Sequence, residues 1–156
     1  LLTGRPRSLM LNGVAYLTQE ERKQFRETVA NAVVPDPDGR YLQETWRVIR
    51  GLFAEFSPEL VHREFACAMR SIHGRDQAFA AIWKQNYPAV MAKVMCPMFV
   101  MSAKDDFFVS YMERVKANHP ETKITVLGPA KVASPELGTD ESVKVIREFM
   151  AAVESA

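Results

Sequence analysis

The chain has 156 residues, of which 47% are apolar and 25% charged, with twenty basic against nineteen acidic side chains and a net charge of +1. This is the composition of one ordinary globular domain; it excludes global disorder and collagen-like structure. The basic residues are spread along the chain and no nucleic-acid reading motif is present, so no nucleic-acid partner is expected.

Taken in chain order, Ser8 to Asn12 form a short apolar run stopped by Gly13, the pattern of a buried parallel strand. Thr18-Gln19-Glu20-Glu21 has the spacing of a capping box and predicts a helix to about Ala32. Pro35-Asp36-Pro37-Asp38-Gly39 is the clearest loop. Leu42, Trp46, Ile49, Leu52, Phe53 and Phe56 then follow a helical period from Tyr41 to Phe56. Ser57-Pro58-Glu59 is a helix start, with a Ser cap, Pro in the first turn and an early acid. That helix is expected to stop near Gly74, and a further one to run from Asp76 to Trp83 toward Tyr87-Pro88.

Beyond Cys96-Pro97 the pattern changes. Met98 to Met101 reads as a strand, Ser102-Ala103-Lys104-Asp105-Asp106 as its turn, and Val109 to Asn118 as a helix. Lys123 to Leu127 is another strand, stopped by Gly128-Pro129. Val132 to Gly138 is expected to be loop, and Thr139-Asp140-Glu141 to cap a last amphipathic helix carrying Val143, Ile146, Phe149, Met150 and Val153. The closing strand–helix–strand–helix order implies parallel pairing with a right-handed crossover.

Three apolar parallel strands make a small sheet with exposed edges. The chain is therefore expected to belong to a larger sheet, completed by an upstream segment, a second polypeptide or a second copy. It begins at Leu1 rather than Met, which agrees with processing, truncation or an incomplete record. The two cysteines, Cys67 and Cys96, lack metal-type spacing and are expected to be buried free thiols in a reducing, cytoplasmic setting. No apolar run approaches the roughly 18 residues of a membrane span. No phosphate-binding loop, dinucleotide fingerprint or zinc signature appears, so neither cofactor nor metal is expected.

The order of elements and the local sequences resemble the C-terminal half of the α/β-hydrolase superfamily. Arg7-Ser8-Leu9-Met10-Leu11-Asn12-Gly13 is similar to that family's strand after the nucleophile helix, and Cys96 through Asp106 to the strand that presents its acid. Ile124 to Gly128 is similar to the last strand and Asp140 to Val153 to the closing helix. The resemblance implies an α/β fold with a partial parallel sheet and an inserted helical cap: residues 1–17 and 88–156 as core, 18–87 as cap. It implies Asp105 as the triad acid, with Asp106 as the fallback; by residue type alone both are equally turn residues after a strand. It further implies a cleft for a small apolar ligand, with Phe107, Phe108, Trp46 and Trp83 as lining residues.

Two departures from the family stand out. No G-x-S-x-G nucleophile elbow occurs anywhere in the chain. The position of the triad histidine falls on Val132, beside Lys131, while His62, His73 and His119 all lie elsewhere. The resemblance thus implies a hydrolase acting on a small acyl, ester or carbon–carbon substrate once a nucleophile-bearing half is supplied, with this chain inactive alone. The alternative is a non-catalytic ligand-binding or protein-interaction subunit of the same fold.

Overall fold

The computed structural model describes residues 6–29, 33–53, 56–130 and 134–155. The elements run β1 (Leu9–Asn12), α1 (Gln19–Val29), α2 (Arg40–Leu52), α3 (Pro58–Arg70), α4 (Ile72–Lys84), α5 (Tyr87–Met91), β2 (Met98–Ala103), a 3₁₀ turn (Val109–Tyr111), α6 (Met112–Asn118), β3 (Lys123–Leu127), α7 (Ser134–Leu137) and α8 (Thr139–Glu154). The chain divides into two compact units, one of residues 1–18 and 86–156, the other of residues 19–85.

In the first unit the three strands form a parallel sheet in the order β1-β2-β3. Leu9 pairs with Met98, and Phe99 with Lys123. Every residue of the central strand β2 is buried, as a strand covered on both faces requires. Side chains alternate across it. Met98 and Val100 pack with Val14, Tyr16, Met91, Met112 and Val115 on one face. Phe99 and Met101 pack with Leu127 and Phe149 on the other, where the Phe99 and Phe149 rings lie 5.3 Å apart. The β2 strand extends two residues past the predicted Met101, because the backbone ladder continues through Ser102–Val126 and Ala103–Leu127.

The second unit is helical. Asp36 organises the start of α2: its carboxylate accepts the N–H groups of Asp38 at 3.0 Å, Arg40 at 3.1 Å and Tyr41 at 2.9 Å. Ser57 caps α3, its hydroxyl accepting the Leu60 N–H at 3.3 Å, with Pro58 in the first turn. Edge-to-face packing of Trp46 on Phe65, at 5.3 Å, joins α2 to α3. Trp83 stacks between Phe79 at 5.8 Å and Phe25 at 6.3 Å, joining α4 to α1.

Several expectations need correction. Gly74 lies inside α4; the break comes at Ser71, whose hydroxyl donates to the Cys67 carbonyl at 2.9 Å and satisfies an end carbonyl of α3. The second predicted helix ends at Leu52 rather than Phe56, with the Phe53 N–H closing on Ile49. Tyr87–Met91 is an extra short helix, capped by the Asn86 side chain accepting from Ala89 N–H at 3.3 Å. Ser134–Leu137 is helical rather than loop. Thr139 is the first residue of α8 and not its cap; its hydroxyl donates backward to the Glu136 carbonyl at 2.7 Å. Cys67 is exposed and Cys96 half-buried, because one lies on an outward stripe of α3 and the other in the loop before β2, so neither is a core thiol. The predicted end of the first helix at Ala32 lies outside the described residues. Among the described residues no helix is long and apolar enough to cross a membrane.

Candidate active site

In an open parallel sheet, ligands bind beyond the carboxyl ends of the strands. Here those ends are Gly13 after β1, Lys104–Asp106 after β2 and Gly128–Ala130 after β3. A backbone bond from Gly13 N–H to the Met101 carbonyl, at 3.0 Å, ties the first end to β2. The Lys104 N–H to Leu127 carbonyl bond, at 3.1 Å, ties the second to β3.

The two adjacent aspartates have different environments. Asp105 is exposed, and its Oδ1 accepts the Ala130 N–H at 2.9 Å, strapping the turn after β2 to the loop after β3. Asp106 is only 7% exposed. Its Oδ1 accepts the Phe108 N–H at 2.7 Å, so the carboxylate closes its own turn. Its Oδ2 lies over Gly13, 3.4 Å from where a Cβ on that residue would stand. Gly13 has φ +64°, a backbone conformation glycine adopts without steric penalty.

Burial pushes the Asp106 carboxyl above the ordinary aspartate range; the Phe108 N–H opposes the rise, the Asp105 charge adds to it, and the neighbouring Ser102 hydroxyl opposes it. Ser102 Oγ is buried and has no hydrogen-bond partner among the described residues. Perturbed carboxyls cluster at functional sites, because placing them there is costly unless the charge is used.

The remaining predicted site residues fall as follows. Phe107 is 60% exposed beside the buried acid, while Phe108 is half-buried with its ring 6.2 Å from Tyr111. Trp46 and Trp83 belong to the helical unit, where both pack against other rings; the Trp83 indole N–H is buried with no acceptor among the described residues. The turn after β2 therefore assembles Asp105, Asp106, Phe107 and Phe108 in one place. Lys131 and Val132, at the expected histidine position, lie outside the described residues. Among the described residues no group of three or more His, Cys, Asp or Glu side chains could hold a metal ion. Two site residues escaped the sequence reading. Gly13 registered only as a strand stop, and Ser102 only as the first residue of the turn after Met101.

No protein-family model and no curated protein matches the chain. Among solved structures it is similar to a hydrolase from Pseudomonas aeruginosa PA01, with a TM-score of 0.67 and 23% identity. The alignment covers 96% of this chain and 56% of that one, so the chain spans little more than half of its neighbour's length. The fold is thus α/β, with a partial parallel sheet of the α/β-hydrolase type and a helical insertion between β1 and β2.

Proposed function

We propose that the chain is the acid-bearing C-terminal portion of an α/β-hydrolase-fold protein that acts on a small apolar acyl, ester or carbon–carbon substrate once a nucleophile-bearing portion completes it. The observation that carries this reading is the burial of Asp106 at the carboxyl end of the central strand, against the bare backbone of Gly13. A triad acid orients and charge-stabilises a partner base, which a desolvated carboxyl does better than an exposed one. Asp106 is therefore assigned the acid role in preference to Asp105, and Asp105 the role of a strap to the loop after β3. The helical unit is assigned as the cap, and within the sheet unit Phe107 and Phe108 are offered as apolar contacts for the substrate.

Packing supports a larger sheet. On α8, Glu141 reaches the Gly128 N–H and Glu148 pairs with Lys123, so this flank of the helix faces β3. Val143 and Met150 lie on the opposite flank, turned toward β1, and are 37% and 44% exposed. Met10 on β1 shares the sheet face of Phe99 and is 40% exposed. Strands are spaced about 4.8 Å apart and packed helices about 10 Å, so a further helix beside α8 sits over β1 and a strand added to its free edge. A second copy paired through β1 is the less suitable completion, because its own α8 stands too far away to cover this strip.

The absence of a histidine between Gly128 and Gly138 favours a second reading, a non-catalytic subunit of the same fold. Native mass and hydrolysis of an activated short-chain acyl ester separate the two. The 156-residue chain alone is expected to give no turnover. A stable complex or a longer gene product that carries the elbow and hydrolyses the ester supports the hydrolase reading. A complete gene product that carries no elbow, stays an inactive monomer and binds apolar ligands overturns it.

A further inference from the structure

We infer that Ser102 is a positioning residue for Asp106, its hydroxyl holding the ionised carboxyl from within the sheet. Ser102 is fully buried, on the β2 face that otherwise presents Met98 and Val100 to an apolar core. A hydroxyl in such a place is costly unless it serves another polar group. Just past β1, the Gly13 N–H donates to the carbonyl of Met101, the residue before Ser102, at 3.0 Å. Gly13 is also the residue over which Asp106 Oδ2 lies, so the carboxyl and the Met101–Ser102 stretch of β2 both border this glycine. The other oxygen, Oδ1, is already engaged by the Phe108 N–H at 2.7 Å.

The chemistry of the hydroxyl suits this place. It rotates, donates to a carboxylate and accepts from a carboxylic acid, so it serves both protonation states without backbone movement. Alanine would fill the same space and serve neither state. The inference rests on Asp106 being the acid of the proposed site.

The test is a carboxyl-carbon NMR titration of Asp106 in the 156-residue chain. In Ser102→Ala the midpoint is expected to rise, because a group favouring the charged form is gone, and Ser102→Thr is expected to return it toward the original value. A purely structural serine would change stability and leave the midpoint in place. In the unmodified chain the Ser102 Cβ shift is expected to follow the Asp106 titration, a readout available even where Ser102→Ala does not fold. A midpoint that is unchanged or lower in a folded Ser102→Ala, or a Cβ shift that ignores Asp106, overturns the inference. The titration is read without substrate, so a flat result leaves the hydrolase reading standing, and an inactive complete protein leaves the Ser102 result standing.

Discussion

Replacing Gly13 with alanine tests the geometry under Asp106. Gly13 has φ +64°, and a left-handed backbone costs an ordinary L residue about 1–2 kcal/mol. The added Cβ meets Asp106 Oδ2 at 3.4 Å, an ordinary van der Waals distance, so collision adds little to that strain. The methyl does desolvate one carboxylate oxygen further, a penalty confined to the ionised form. Gly13→Ala is therefore expected to lower the unfolding free energy by about 1–2 kcal/mol, with the larger loss near neutral pH and the smaller near pH 4. With urea m-values of about 1–3 kcal/mol/M, the midpoint falls by about 0.3–2 M at unchanged m. Circular dichroism unfolding curves at the two pH values provide the assay. In an Asp106→Asn background the pH-dependent part disappears and the backbone part remains. An equal loss at both pH values, or one that keeps its pH dependence without the Asp106 carboxyl, refutes the reasoning.

Other predictions concern single groups. The raised Asp106 pKa means its stabilising contribution is complete below the ordinary aspartate pKa and is lost as pH rises through the folded value. Asp106→Asn is thus expected to raise the melting temperature near neutral pH and to have little benefit in acid; a loss near neutral pH counts against the burial argument. Asp36 has the opposite sign: the N–H of Tyr41, then those of Arg40 and Asp38, hold its pKa down, so its contribution is present above the ordinary value and fades as pH falls through the folded one. Asp36→Ala is expected to speed amide exchange at residues 38, 40 and 41 near neutral pH, and unchanged exchange would contradict the role. Ser57→Ala removes the α3 cap and is expected to cost about 1 kcal/mol, read as a lower urea midpoint. Phe149→Ala empties the contact with Phe99 and is expected to cost about 3–5 kcal/mol; a loss under about 1 kcal/mol would show that the sheet face packs otherwise.

Much of the fold was legible because its signals are local. Ser57-Pro58-Glu59 starts a helix by chemistry contained in three neighbours, and the structure uses the Ser57 hydroxyl and Pro58 as read. The three strands were legible as apolar runs, although β2 continues to Ala103 because β3 supplies partners that its own sequence does not announce. Gly74 misled, since a helix tolerates one glycine at about 1 kcal/mol while Ser71 closes the preceding helix with its own hydroxyl. The distinction between Asp105 and Asp106 was not legible at all. Two identical side chains in one turn differ only in what they reach: Ala130, far along the chain, for the first, and Gly13 at the opposite end of the sequence for the second. The place of Ser102 was hidden for the same reason, because its neighbour in the sheet is distant in sequence.

The most direct test of the acid assignment compares Asp106→Asn with Asp105→Asn in the complete gene product, by kcat/KM on an activated short-chain acyl ester. The account predicts a loss of about 10³–10⁴-fold for Asp106→Asn, carried by kcat, and a far smaller loss for Asp105→Asn. A larger loss at Asp105, an Asp106→Asn variant as active as the parent, or a complete product without turnover would contradict it.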